Sequence, residues 1–239
     1  MDSSGYVTLT RQSGLLREMQ VVANNIANAA TTGFRQEGMI FSEYVSSVRG
    51  GPSLSMGQGN VRNTSLEQGA LTQTGGTFDF AIEGDGYFLV ETPGGERLTR
   101  AGSFTVNGEG DLVTQDGHRV LDAGGAPVFI PPDVGPIAVA PDGTVSAGGG
   151  LIGQIGLVSP VDPREMVRQS GVMFEADEGF EPAENARIMQ GFVEASNVDS
   201  IGQLARMIEI QRAYEMGQSF LDSEDERVRR AMDAMMKSQ

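Results

Sequence analysis

The stretch GLLREMQVVANNIANAATTGF, residues 14–34, decides how the chain is to be read. Leu15, Met19, Val22, Ile26 and Ala29 recur in it at spacings of 4, 3, 4 and 3. That is a heptad seam, the pattern of a helix that buries one narrow stripe against another helix. The spacing predicts a helix from about Ser4 to Thr31, about 40 Å long at 1.5 Å per residue. Thr31-Thr32-Gly33-Phe34 supplies the stop, because Gly33 can turn left-handed and Phe34 can pack back on the last turn. Asn24, Asn25 and Asn28 stand out inside the helix, since asparagine is a mediocre helix former. Asn24 and Asn28 lie one turn apart and share a face.

The far end of the chain has the same character. Ser196-Asn197-Val198-Asp199 fits a capping box, with Ser196 as the cap and Asp199 reaching back. Ile201, Leu204 and Ile208 follow at spacings of 3 and 4. A second seam runs through Met207, Ile210, Tyr214, Gly217, Leu221, Val228, Ala231 and Met235. One helix holding both seams extends nearly to Gln239. Neither terminal helix can bury its apolar stripe alone, so the two must pair with each other or with neighbouring chains.

The middle of the chain reads differently. Residues 36–75 look irregular, and Ser46 to Ser65 is rich in Gly, Ser and Asn, as expected of a loop or an extended arm. From Thr77 onward Phe78, Phe80 and Ile82 alternate with Asp79, Ala81 and Glu83, and Asp85-Gly86 separates them from Tyr87-Phe88-Leu89-Val90. Turn signals recur at Pro93-Gly94-Gly95, Asn107-Gly108, Asp116-Gly117, Gly124-Gly125 and Pro141-Asp142-Gly143. Short β-rich runs between such turns predict a compact antiparallel domain. The expected fold class is α+β. Coiled-coil-like helices at 1–35 and 196–239 flank an inserted, mainly antiparallel β domain at 76–160, with an extended arm at 36–75 and an extended return segment at 161–195.

Composition removes most chemistry. The chain has 239 residues, no cysteine and a single histidine, so disulfides, thiolate metal sites and histidine clusters are excluded. His118 lies in the turn Asp116-Gly117-His118-Arg119, and no Gly-x-Ser-x-Gly elbow accompanies it. Gly84-Asp85-Gly86 precedes a strand rather than a helix, so it offers no helix N-terminus to a dinucleotide phosphate. The acids Asp222, Glu224, Asp225 and Glu226 lack the alternation of a calcium loop and sit beside Arg227, Arg229 and Arg230. The reading therefore assigns no catalytic residue, cofactor or metal. The net charge is −15, carried by the middle and C-terminal parts, which makes nucleic acid a poor partner. No apolar run approaches the roughly 20 residues of a membrane span. Met1 to Gln20 lacks the basic start and apolar block of a secretory signal, so the chain is expected to stay in the cytosol or leave by a route needing no cleaved signal.

Ala23-Asn24-Asn25-Ile26-Ala27-Asn28, followed by Thr31-Thr32-Gly33-Phe34, resembles the N-terminal signature of flagellar axial proteins, the rod and hook group. Three further blocks are similar to that family. Gln68-Gly69-Ala70-Leu71 through Phe78 to Phe88 resembles the start of its β domain. Leu98-Thr99-Arg100-Ala101-Gly102-Ser103-Phe104 and Asp111 to Thr114 continue it. Gln190-Gly191, Glu194-Ala195-Ser196-Asn197-Val198 and Gln211-Arg212-Ala213-Tyr214-Glu215 resemble its C-terminal signature. The resemblance covers nearly the whole chain, and the opening Met1 to Val7 is most similar to the proximal-rod members.

The resemblance implies a structural subunit of the periplasmic rod in the flagellar basal body. Such a subunit leaves through the flagellum's own export apparatus, assembles helically with copies of itself and other rod proteins, and carries motor torque. It implies that the end helices form an inner layer and that the asparagine amides face neighbours across a subunit contact. The expected assembly residues are Leu15, Met19, Val22, Asn24, Asn25, Ile26, Asn28, Asn197, Ile201, Leu204, Ile208, Ile210, Tyr214 and Leu221. A distal-rod or hook-type subunit is the alternative within the family. An oligomeric carbohydrate-binding or carbohydrate-active β-domain protein is the alternative outside it.

Overall fold

A computed structural model of the chain describes residues 3–46, 54–132 and 134–237. It is α+β, with a helix at each end and a mainly antiparallel β region between them. The chain divides into two compact units. One holds residues 1–27, 36–65 and 198–239, and the other holds 28–35 and 66–197.

The first unit contains α1 (Ser3–Ala27), β1 (Glu37–Ser46), β2 (Leu54–Thr64) and α2 (Ser200–Lys237). The first helix ends four residues earlier than its seam predicts. Beyond Ala27 the backbone turns, with Thr31 N donating to Asn28 O at 3.0 Å and the Thr31 hydroxyl bonded to Asn28 Oδ1 at 3.1 Å. Asparagine and threonine compete here for the groups that a longer helix would use. The region 36–75 is not irregular in its described part. β1 and β2 pair antiparallel from Glu37↔Thr64 to Ser46↔Leu54, with a bulge between Ile40 and Phe41. The ladder uses backbone groups, so strands can form it without the regular apolar alternation that announces a strand. Residues 47–53, at the centre of the expected arm, lie outside the described residues.

α2 begins at Ser200, and its cap is not Ser196. Asp199 Oδ1 accepts from Ile201 N at 3.2 Å, and Asp199 O accepts from Gln203 N at 2.9 Å. Residues 195 and 197 are already committed to extended pairing, Ala195 N with Ala70 O and Asn197 N with Phe34 O. Asp199 is therefore the first residue free to cap the helix.

The second unit holds β3 (Leu71–Gln73), β4 (Phe80–Glu83), β5 (Tyr87–Thr92), β6 (Gly95–Thr99), β7 (Phe104–Val106), β8 (Leu112–Thr114) and β9 (Arg119–Leu121). β10 (Ile137–Val139), β11 (Thr144–Ala147), β12 (Gly150–Gln154) and β13 (Leu157–Pro160) follow. β14 (Met166–Ser170), β15 (Met173–Ala176), β16 (Phe180–Pro182), β17 (Arg187–Gln190) and β18 (Phe192–Glu194) complete it. The main sheet runs β14-β15-β6-β5-β9-β8-β7, with β13 joining β5 to β16. The strands between 161 and 195 are woven into this unit: β15 pairs with β6, β17 with β4 and β18 with β3.

β5 explains why this unit is compact. Its four consecutive apolar residues are all buried. Successive strand residues point to opposite faces, so Phe88 and Val90 enter one core cluster while Tyr87 and Leu89 enter the other. Phe88 meets Phe104 edge to face, with centroids 5.2 Å apart.

Candidate assembly surface and the buried Glu194 junction

Within the first unit the helices run antiparallel. Gln12 Nε2 donates to Tyr214 O at 3.2 Å, Arg206 donates to Glu18 Oε1 at 2.8 Å from Nε and 2.5 Å from Nη2, and Asn25 Nδ2 donates to Gln203 Oε1 at 3.2 Å. The hydrogen bonds to Glu18 raise the Arg206 pKa above its ordinary value. Val21, Val22 and Ile210 are buried. Burying each such side chain contributes about 1.5–3 kcal/mol.

Asn25 has a role inside the unit. It is 1% exposed, its Nδ2 donates to Glu37 O at 2.7 Å, and its Oδ1 accepts from Glu37 N at 2.9 Å. The amide thus completes the start of β1 as a neighbouring strand would, which accounts for an asparagine in a helix that it otherwise weakens.

The expected assembly residues fall into three groups. Val22, Asn25 and Ile210 are buried within the chain, and Leu15, Met19, Ile26, Asn28, Asn197, Tyr214 and Leu221 are partly buried. Asn24, Ile201, Leu204 and Ile208 are exposed, Ile201 at 81% and Ile208 at 49%. The Asn197 amide donates to Glu67 O at 2.8 Å, within the second unit. The exposed apolar positions of α2 share no single face. Ile201, Leu204 and Ile208 form one stripe, while Met216, Phe220, Val228, Met232, Met235 and Met236 lie further along.

α2 also outruns its partner. Gln12 stands opposite Tyr214, so Ser3, nine residues earlier, falls opposite about Ser223. Residues 224–237 then form a helical overhang about 21 Å long, taking 1.5 Å per residue. Ion pairs at helical spacing support it: Arg227–Glu224 at 2.7 Å, Arg229–Asp225 at 2.9 Å and Arg230–Glu226 at 2.7 Å. These are the acids that the sequence separates from a calcium loop. Among the described residues no cluster of acids and histidine has metal-holding geometry, and no helix is long and apolar enough to cross a membrane.

In the second unit the signature blocks converge on Glu194, which is 1% exposed. Glu194 Oε1 accepts from Gly69 N at 3.0 Å and lies 2.8 Å from Arg35 Nη2, a charge contact without hydrogen-bond alignment. Glu194 Oε2 accepts from Arg100 Nη1 at 3.2 Å. Arg35 Nη1 donates to Glu67 O, and Arg100 Nη2 donates to Gly84 O at 2.8 Å. The Glu194 backbone carbonyl accepts from Gly33 N at 2.8 Å. Arg168 is stacked between Phe34 and Phe174, at 4.5 and 4.6 Å, and donates to Arg35 O at 2.6 Å.

Burial governs the titrating groups of this junction. It pushes the Tyr87 phenol up, against the opposing effect of Arg100 whose guanidinium lies 5.0 Å over the ring. It lowers the Arg100 pKa, offset in part by Glu194. Two glycines let the backbones close in. A Cβ on Gly33, which sits at φ +69°, would stand 2.3 Å from Ala101 N, and one on Gly69 would stand 1.9 Å from Ala195 O. The junction holds no nucleophile poised beside a base. What it does is tie residues 33–35, 67–69, 82–84, 100 and 194 into one block.

Arg100 and Glu194 lie inside the signature blocks and Arg35 one residue beyond the first of them, but no spacing pairs the three. The available signal is a charged residue closing a short strand-forming run, as in Phe192-Val193-Glu194 and Leu98-Thr99-Arg100.

Comparison with known proteins bears on the whole chain. Residues 6–35 match the family described as "Flagella basal body rod protein", residues 81–147 the "Flagellar hook protein FlgE/F/G D1 domain", and residues 189–234 the "Flagellar basal body rod FlgEFG protein C-terminal". The chain is 42% identical over 245 residues to the flagellar basal-body rod protein FlgF of Caulobacter vibrioides, covering 99% of both chains. It is 41% identical to FlgF of Mesorhizobium japonicum over 90% of each chain. It is 31% identical to the rod protein FlgG of Bacillus subtilis, over 92% of this chain and 94% of that one.

Proposed function

Because the chain belongs to the flagellar basal-body rod protein family and is most like FlgF, we propose that it joins the proximal rod through the exposed apolar stripe of α2. It is a structural subunit of the flagellar basal body, and its family is not one of enzymes. The carbohydrate-binding alternative is set aside on the same ground.

The observation that carries the proposal is the state of Ile201, Leu204 and Ile208. Spacings of 3 and 4 place them on one side of α2, yet the folded chain leaves all three exposed. A contiguous apolar stripe in water marks a binding surface. A head-to-tail contact between such a stripe and a different surface of the next subunit generates an open helical array rather than a closed ring. In this reading the terminal helices adopt coiled-coil packing with neighbouring rod subunits, the junction at Glu194 keeps the β unit stiff under torque, and the chain reaches the periplasm through the flagellar export apparatus. Leu15 and Leu221, partly buried in the lone chain, complete the surface; Val22, Asn25 and Ile210 act within it.

The absence of cysteine makes the test clean. Ile208→Cys introduces one thiol at a position that is 49% exposed in the free chain. Paired with single cysteines in neighbouring rod subunits, it should form intermolecular disulfides in assembled basal bodies but not in the dilute purified chain. If the thiol of the Ile208→Cys variant stays reactive to a bulky maleimide in the assembled rod, burial of the stripe is contradicted.

A further inference from the structure

The described methionines divide sharply by position. Met166 and Met173 are 8% and 5% exposed in the β unit, and Met19, Met39, Met189 and Met207 are partly buried. Met216, Met232, Met235 and Met236 are 67%, 54%, 70% and 78% exposed, and all four lie on α2. The chain has no cysteine and no tryptophan, so the methionine thioethers are its only sulfur and its most readily oxidised groups.

We propose that Met216, Met232, Met235 and Met236 form a modification site for hydrogen peroxide or an organic hydroperoxide, and that their oxidation takes the free subunit out of assembly. The second half rests on the reading of α2 as an assembly element. The reaction is balanced by the peroxide alone. The thioether sulfur uses a lone pair to bond the hydroxyl oxygen of the peroxide as the O–O bond breaks, and the proton of that oxygen passes to the departing oxygen, which leaves as water or alcohol. Sulfur is oxidised by two electrons and the peroxide is reduced by two.

Oxidation replaces a flexible apolar side chain by a polar sulfoxide. On α2 that change falls near Phe220 and Val228, the other exposed large apolar residues between Met216 and Met236. The overhang keeps its ion pairs, which involve none of the four, so the helix persists while its apolar character is lost. The sensitivity belongs to the subunit before it joins, since burial in an assembly shields the sulfurs. Sulfoxide reduction restores the original side chain, so the block is reversible.

Two measurements test this. Peptide mass spectrometry of the full-length chain in hydrogen peroxide should show Met216, Met232, Met235 and Met236 oxidising at least about tenfold faster than Met166 and Met173, following exposure. Comparable rates would overturn the site. In cells lacking the native chain, M216Q/M232Q/M235Q/M236Q mimics sulfoxide polarity and M216L/M232L/M235L/M236L resists oxidation. The Gln variant should be recovered in purified basal bodies at a tenth or less of the wild-type amount, and the Leu variant at the wild-type amount. Wild-type recovery of the Gln variant, or equal loss of both, would overturn the proposed block. Crosslinking of the Ile208→Cys variant separates the two failures. If crosslinks form while the Gln variant assembles, only this inference falls. If crosslinks are absent, the assembly surface falls with it.

Discussion

Glu194 shows how one residue can matter in a protein of a structural family. Its carboxylate sits between Arg35 and Arg100, both nearly fully buried, and accepts from Gly69 N as well. A buried ion pair adds little net stability, because desolvation offsets the attraction, but removing one partner strands the other charge. Glu194→Ala strands two guanidinium groups. The expected loss is about 3–5 kcal/mol, which lowers the melting midpoint of the β unit by roughly 10 °C for a chain of this size. Calorimetry checks it, and a midpoint within a degree or two of wild type would show that the junction is not a tie. Tyr87 gives the junction a pH signature. Burial raises its folded pKa above the ordinary value of about 10. Its contribution to stability is therefore complete below about pH 10 and is lost as pH rises through the folded pKa. The β unit of Tyr87→Phe should lose less stability between about pH 9 and 11 than wild type; parallel alkaline melts of the two proteins would contradict the assignment.

The elements differ in how legible they are, for physical reasons. A heptad seam needs no tertiary information, so both terminal helices can be read from the sequence. Their ends cannot, because Asn28, Thr31 and Asp199 decide them through local hydrogen bonds, and the residues on either side of Ser196 are occupied by pairing with distant backbone. The β1–β2 ladder is illegible because its pairing rests on backbone groups without a regular apolar alternation, and strands β15, β17 and β18 hide because they are three or four residues long with partners more than fifty residues away. The overhang of α2 emerges only from the observed pairing with α1. It predicts a gradient along one helix. In the free chain, amides of residues 224–237 should exchange much faster than those around Ile210, which is 2% exposed and backed by α1. In assembled rods the two regions should be protected alike. Uniform protection along α2 in the free chain would mean that the overhang already has a partner.

At the scale of the molecule, the sequence shows an apolar excess at both ends of the chain, and the structure shows which part of it stays unmatched. Within the helical unit Val21, Val22 and Ile210 are buried, while Ile201, Leu204 and Ile208 remain exposed. The Glu194 junction is illegible because its charges are scattered at positions 35, 100 and 194, and no periodicity connects residues so far apart. The division of labour that results is a self-sufficient β unit and a helical unit with surface to spare. One substitution tests that division. Ile208→Asp places a carboxylate on the exposed stripe, where the lone chain tolerates it and a packed neighbour does not. The assembled contact loses about 1.5–3 kcal/mol of apolar burial and bears in addition an unpaired buried charge at every subunit. The decisive measurement is the amount of Ile208→Asp chain recovered in purified basal bodies from complemented cells, set beside the thermal melt of the purified variant. The account predicts loss of the chain from the rod with β-unit melting unchanged from wild type. Wild-type recovery in the rod, or a collapsed melt, would contradict it.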